Sequence, residues 1–130
     1  TKTSTFFWAY HNEADTNANF EYEVDSDKGQ STEFQVLTAK DSAGDGVGND
    51  NDQSCSGYIH LYNPGSTTFV KHFHSRFNQS FMSDYTSDNF VSGYFNTTAA
   101  ITAIQFKFLA SGGAASDTDA GDIFLHGLTT

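Results

Sequence analysis

Apolar residues at every second position near the C-terminal end are the feature that most constrains how this chain folds. Residues 103–109 read Ala-Ile-Gln-Phe-Lys-Phe-Leu, and Ile123 and Leu125 repeat the alternation. Successive side chains of a strand point to opposite faces, so this pattern is typical of half-buried strands. The intervening Ser, Gly, Ala and Asp residues favour a turn. The sequence therefore predicts a long-looped hairpin of strands 104–108 and 123–125, which needs a larger sheet because a lone hairpin is unstable.

The rest of the chain shows the same period of two, and no segment sustains a helical period. Aromatic and Thr-rich segments bounded by Gly, Asn, Asp and the single proline favour strands. About eight short strands separated by turns predict an all-β fold, an antiparallel β-sandwich of jelly-roll type. The further strands are expected at residues 5–10, 20–24, 34–38, 57–62, 67–74 and 90–95, and segment 77–87 is ambiguous.

Length and composition predict one domain spanning residues 1–130. A chain of this size can bury a core without disulfides, and thirteen Phe, six Tyr and one Trp supply that core. Dividing it into two domains would leave both cores too small. Cys55, the single cysteine, has no internal disulfide partner, and we expect it to be a buried, unreactive thiol.

The net charge of −10, with six Lys and Arg residues, argues against binding to nucleic acid or to an anionic membrane. No apolar run reaches the ~18 residues of a membrane span, so we expect no membrane insertion. The chain begins at Thr1 and shows no signal peptide. We expect it to be processed, or to be the ordered part of a longer protein.

An acidic loop at residues 41–52 is the sharpest candidate for a metal site. With Asp41 as position one, oxygen-bearing side chains fall at five, nine and twelve, and a glycine at six, as in looped calcium sites. The loop resembles the Asp-rich calcium loops of thrombospondin-type-3 repeats, although Ala43 stands where an Asp is usual. The alternative is a solvated acidic loop, as it is for the weaker group Asp117, Asp119 and Asp122. The candidate calcium ligands are Asp41, Asp45, Asn49 and Asp52.

Three histidines form a second candidate. His72 and His74 share one face of a predicted strand, and His60 could lie beside them across a ladder. Such a pair binds zinc when a third ligand is present, and the sequence identifies none. We expect a surface or interface pair, which would make assembly sensitive to pH near 6.

No motif of nucleophilic, phosphate-binding or metalloprotease chemistry occurs in the sequence, so we expect no enzyme. Five tyrosines cannot all belong to the core. Exposed aromatic rings stack on sugars or anchor protein interfaces, which leaves a carbohydrate-binding role open. These tyrosines are Tyr10, Tyr58, Tyr62, Tyr85 and Tyr94.

Two segments resemble a family. Residues 57–64 read Gly-Tyr-Ile-His-Leu-Tyr-Asn-Pro, similar to a G-x-I-x-L-x-N-P strand and turn of tailed-phage virion proteins. Residues 101–106, 111–112 and 121–128 resemble their closing I-x-x-I-x-F, S-G and G-x-I-x-L-Y-G hairpin. His126 stands where an aromatic residue is more usual.

The resemblance implies a β-sandwich protein of the virion surface, either a capsid decoration or a fibre subunit. The implied partners are other virion proteins (major capsid or fibre proteins), further copies of the chain and, at the host, a cell-surface glycan. Two other functions stay open: a carbohydrate-binding module, and a calcium-dependent extracellular adhesion or filament subunit. The resemblance carries over no site residues, because its motifs consist of turn and core positions.

Overall fold

A computed structural model describes residues 1–38, 46–47, 50–81, 84–109, 115–116 and 120–128. The described residues form strands and irregular segments, with no helix among them, so the all-β prediction is confirmed. The strands are β1 (Lys2–Asn12), β2 (Ala18–Tyr22), β3 (Lys28–Ser31), β4 (Cys55–Leu61), β5 (Lys71–Phe81), β6 (Tyr85–Phe95), β7 (Phe108–Leu109) and β8 (Ala115–Ser116).

Six of these strands form one antiparallel sheet with the order β2-β1-β6-β5-β4. Strand β3 pairs with β1 beyond the end of β2, and β7 pairs with β8 in a separate two-stranded ribbon. The three 11-residue strands β1, β6 and β5 lie in the middle and pair along their whole lengths. Strand β4 lies at one edge, and β2 with β3 forms the other.

One face of the sheet, called the inner face, carries the core. Phe6 and Trp8 of β1 lie beside Val91 of β6, and all three side chains are buried. Phe73 and Phe81 complete this cluster from β5. The irregular segment after β3 supplies part of the cover, because Val36 and Leu37 pack against the same cluster. Burial of these rings by the hydrophobic effect holds the sheet to the segments that cover it.

The predicted C-terminal hairpin is wrong in its details. Residues 101–107 and 121–128 are not strands, and the two-residue β7 overlaps the expected first strand only at Phe108. The apolar residues there remain largely exposed. Alternation specifies a strand only where one face finds a surface that buries it, and the described part of the chain provides no such surface.

The predicted third strand is also misplaced. It was expected at 34–38, whereas β3 occupies Lys28–Ser31, within a region whose turn residues argued against a strand. Hydrogen bonds to the adjacent β1 override this local preference. Residues 34–38 instead contribute Val36 and Leu37 to the core without joining a sheet. The jelly-roll sandwich and the single domain over residues 1–130 stay predictions, because the described strands form one open sheet and a short ribbon.

Candidate functional site

The opposite side of the six-stranded sheet, called the outer face, carries aromatic and polar side chains that remain in contact with solvent. The even-numbered residues of β2, β4, β5 and β6 point to this face, together with the odd-numbered residues of β1. The strand registers place these side chains in rows that cross the sheet. Because neighbours within a row face each other across the ladder, each row forms a contact unit.

One row contains aromatic rings on four of the five strands that it crosses. Tyr22 pairs with Phe7, Phe7 with Phe90, Phe90 with Arg76, and Arg76 with Tyr58. The rings of Phe7 and Phe90 stack with centroids 4.9 Å apart and an interplanar angle of 12°. Tyr22 and Tyr58, at the two ends, are about half exposed, at 50% and 48%. We call these five residues the aromatic row.

Arg76 connects the phenylalanine stack to Tyr58. Its guanidinium carbon lies 5.1 Å from the centre of the Phe90 ring, in the range of a cation–π contact. The Nε atom lies 3.0 Å from each carboxylate oxygen of Asp88, and a further hydrogen bond comes from Nη2. These hydrogen bonds raise the pKa of Arg76 above its ordinary value, with the charge of Asp88 as the second cause. The guanidinium is therefore held beside the Phe90 ring by Asp88.

A more polar row runs next to the aromatic row. It contains Phe20, Ala9, Asp88, Asn78 and Ser56, again one residue from each of five paired strands. Phe20 is 64% exposed, and its ring lies 5.6 Å from that of Phe7. A shallow depression includes Ala9, Asn78 and Asp88 in its lining. The two rows together offer flat apolar rings beside hydrogen-bonding groups, an arrangement suited to a ligand with one apolar and one polar side.

The structure brings together two of the three histidines considered from the sequence. His60 of β4 faces His74 of β5, and their ring nitrogens lie 3.0 Å apart. The Tyr62 hydroxyl lies 2.9 Å from the other nitrogen of His74. His72 points to the same face but contacts Tyr94, with ring centroids 5.9 Å apart. The hydrogen-bonded pair is therefore the cross-strand pair of His60 and His74, and His72 shares their face, as its spacing along β5 predicts.

The five tyrosines divide between the two sides. Tyr10 packs against the core, where its ring lies 4.5 Å from Trp8, and Tyr85 stacks on the buried Phe81. The other three, Tyr58, Tyr62 and Tyr94, lie on the outer face or at its end.

Sequence reasoning missed four contributors to the outer face. The sequence did contain an indication of these residues. Segment 5–10 has aromatic residues at consecutive positions, and since successive side chains of a strand point to opposite faces, some of these rings must lie outside the core. The missing information was the register, which sets the residues of different strands side by side. The missed residues are Phe7, Phe20, Arg76 and Phe90.

The acidic loop lies mostly outside the described residues, which include neither Asp41, Asp45 nor Asn49. Asp52 is described and exposed, and its carbonyl oxygen accepts a hydrogen bond from the Ser80 hydroxyl. In the described part of the chain, no three or more His, Cys, Asp or Glu side chains are grouped to hold a metal ion. The calcium assignment stays a prediction.

Cys55 is partly buried at the start of β4, where its register partner is Gln79 on β5. Burial raises the pKa of its thiol above the ordinary value. A raised pKa leaves less thiolate at neutral pH, and the thiolate is the reactive form. The described geometry is that of a thiol with low reactivity.

Within the described ranges, no helix has the length and apolar character that a membrane-spanning helix requires. Comparison with known proteins identifies no relative: no family model, curated protein or solved structure matches this chain.

Proposed function

We propose that this chain is a non-enzymatic structural subunit of a virion surface, a capsid decoration or a fibre component, that assembles with other virion proteins and with copies of itself. The observation that carries the proposal is the exposure of the C-terminal apolar side chains. Contiguous apolar surface on a soluble protein marks an interaction site.

The exposure is greatest after residue 120. Leu125 and Leu128 are 95% and 96% exposed, and Ile123 and Phe124 exceed 70%. Burying one such side chain contributes about 1.5–3 kcal/mol, so four of them would provide a large driving force for association. Earlier in the same region, a further apolar set is more than 40% exposed: Ile104, Phe106, Phe108 and Leu109.

The sheet also offers an edge to a partner. Strand β4 pairs with β5 on one side and has no neighbour among the described strands on the other. Such an edge presents backbone donors and acceptors that a strand from another chain can pair with. An apolar alternating segment and an open edge are complementary parts of a strand-addition interface between subunits.

The virion part of the proposal comes from the resemblance, and one contact supports it. The backbone N–H of Ile101 donates to the carbonyl oxygen of Pro64 over 2.8 Å. This bond connects the start of the second family-like segment to the end of the first. Asn63 adopts a positive φ of 47° in the turn that ends the first segment. The two segments that resemble virion proteins therefore meet in space, as parts of one structural motif would.

Assembly is tested by sedimentation velocity over a range of protein concentrations. We expect the wild-type chain to associate, and the double variant Leu125→Asp/Leu128→Asp to remain a monomer. The matched control is Val24→Asp/Phe69→Asp, which places the same charges at sites 68% and 69% exposed elsewhere in the chain and should associate normally. A monomeric wild type, or a Leu125/Leu128 variant that associates as the wild type does, would contradict the proposal.

The virion location needs a separate measurement. Antibody raised against the chain, with a gold label, should decorate the heads or fibres of phage particles purified from the source culture. Gold found only on material that is free of particles would contradict a virion role while leaving the assembly result intact.

A second candidate function, carbohydrate binding, is favoured by the aromatic row. Sugar rings stack their C–H faces on exposed aromatic side chains, while their hydroxyls bond to groups such as Asp88 and Asn78. Glycan-array binding that is lost in Tyr58→Ala and Tyr22→Ala, and retained in Phe69→Ala, would support it. Equal binding by all three variants, or no binding by the wild type, would exclude the row as a sugar site.

A further inference from the structure

Strand β4, at one edge of the six-stranded sheet, has backbone groups that no described strand pairs with. The N–H of Tyr62 donates to the carbonyl oxygen of His72, and the N–H of Ser80 donates to the carbonyl oxygen of Ser54, each over 2.9 Å. In an antiparallel ladder such bonds involve every second residue, so the even-numbered residues of β4 bond to β5. The odd-numbered residues turn their N–H and C=O groups to the open side, and they are Cys55, Gly57, Ile59 and Leu61.

The open side of β4 lacks the features that usually protect an edge strand. Natural edge strands avoid pairing with other chains through charged side chains, prolines, bulges or a very short length. Strand β4 is seven residues long, contains no Asp, Glu, Lys, Arg or Pro, and pairs with β5 in unbroken register. Its Ile59 and Leu61 are only partly buried against the core of the inner face. The core therefore ends at this edge with apolar surface that an added strand would cover.

The opposite edge of the sheet is different. Strand β2 carries Glu21 on its inner-face side, where the carboxylate accepts hydrogen bonds from the Trp8 indole and the Asn19 amide. An inward-pointing carboxylate at an edge opposes the addition of an apolar strand, because its burial would remove its contact with water. Of the two edges, β4 is therefore the one suited to an apolar partner.

Residues 121–128 have the length and the pattern of such a partner. All eight are exposed, and Ile123 and Leu125 occupy alternate positions. When these two side chains lie on the inner face beside the apolar residues of β4, Phe124 falls on the outer face, beside the tyrosines of the same strand. A single register therefore suits both faces of the sheet.

We propose that residues 121–128 of one copy add as a strand to the open side of β4 in a second copy. This contact rests on the assembly proposed above and specifies which two surfaces meet. Both surfaces are unpaired in the described part of a single copy, so each is available to another. Donor and acceptor are different parts of the chain, so the contact is heterologous. Backbone hydrogen bonds provide affinity, and the alternating side chains set the register.

The test mixes two variants that each lack one half of the contact. Leu125→Asp/Leu128→Asp removes the donor, and Ile59→Pro removes an N–H on the open side of β4, where an edge strand tolerates proline. We expect each variant to self-associate at least ~10-fold more weakly than the wild type in sedimentation velocity. Their equimolar mixture should form a complex with one copy of each, because one keeps the acceptor and the other the donor. Hydrogen exchange on that complex should show protection of residues 55–61 and 121–128.

The matched control places a proline at the opposite edge. The N–H of Glu23 donates to the carbonyl oxygen of Phe6, so the even-numbered residues of β2 face away from β1. Phe20→Pro removes one such N–H, which bonds only to the adjacent Asn19 side chain, and should associate as the wild type does. Cys55→Pro, at the first residue of β4, repeats the acceptor test with less change to the core. Thermal melts check that each variant is folded.

Three results would overturn this contact while leaving assembly in place. They are β4 proline variants that associate as the wild type does, a mixture that remains monomeric, and Phe20→Pro as damaging as Ile59→Pro. A monomeric wild type would overturn the contact together with the proposed assembly.

Discussion

The two faces of the sheet are both rich in aromatic residues, yet only one of them is a core. Along β1, Phe6 and Trp8 are 0% and 3% exposed, whereas Phe7, which lies between them in the sequence, is only partly buried. The difference does not come from residue type. It comes from what covers each face, because the inner face packs against Val36 and Leu37 and the outer face meets solvent.

Polarity does not separate the two faces either. The inner face buries Lys71, Gln79 and Asn89 completely, while the outer face exposes Phe20 and Tyr22. The Lys71 ammonium donates to the Thr97 carbonyl oxygen, and the Asn89 amide to that of Phe77. Buried polar groups are tolerated where such bonds replace those to water. The comparison shows that the segments covering a side chain, rather than its hydropathy, decide whether it is buried in this sheet.

The largest effect should come from one matched pair of substitutions. Phe6→Ala leaves a cavity in the inner cluster and should lower the free energy of unfolding by about 3–5 kcal/mol. Phe7→Ala removes the stack on Phe90 and should cost about 1 kcal/mol, since the site stays in contact with water. Urea unfolding of both variants measures the difference, and equal losses would mean that both faces are buried.

The second-largest loss of stability should come from a substitution at Gly93, where β6 lies close to the backbone of β1. A Cβ atom at Gly93 would meet the Thr3 carbonyl oxygen and come within 2.8 Å of the Ser4 Cα, both on the neighbouring β1. Gly93→Ala should therefore destabilise the fold by about 1–3 kcal/mol. Gly29 in β3 has nothing within 4 Å of its Cβ position. Gly29→Ala should change the melting temperature little, and a comparable loss there would contradict a steric cause.

Substitution of Arg76 should affect the stability of the fold less than it affects ligand binding at the outer face. Its bond to Asp88 is a surface ion pair, which solvent screens, so Arg76→Met should leave the free energy of unfolding nearly unchanged. Losing the guanidinium that connects Phe90 with Tyr58 should weaken any ligand that stacks on the aromatic row. Chemical unfolding and glycan-array binding measure the two effects on one variant. A loss of stability as large as that of Phe6→Ala would mean that the outer face is structural.

The smallest effect concerns Tyr22. Its hydroxyl donates to an Asp27 carboxylate oxygen over 2.7 Å, and this bond raises the pKa of the phenol above its ordinary value. A raised folded-state pKa contributes stability below the unfolded value of about 10, which is lost as pH rises through the folded value. Tyr22→Phe should therefore lower the melting temperature slightly at pH 8, and the difference from wild type should shrink as the pH rises above about 10. A pH-independent difference would exclude the hydrogen bond as its cause.

Local patterns predicted strands well where long strands pair with one another. Segments 5–10, 57–62 and 90–95 all fall within or next to observed strands, because Phe, Tyr and Val alternation there coincides with pairing in the sheet. Prediction failed at 104–107 and 123–125, where equal alternation finds no strand partner in the described chain. Of the candidate sites, the sequence indicated His72 and His74 with His60 as a cross-strand neighbour, but not the 3.0 Å contact of His60 with His74 or the nearby Tyr62 hydroxyl.

By itself, then, the sequence determined the all-β class, the approximate position of the long strands and the acidic charge, since these depend on residue type and local period. Tertiary structure alone decided which aromatic set became the core, which residues share the aromatic row, and which histidines meet. The physical reason is that strand register, and the segments that cover each face of the sheet, depend on contacts between residues far apart in the sequence. An alternation with a period of two indicates that a strand has two different faces. Only packing against other segments decides which face is exposed to water.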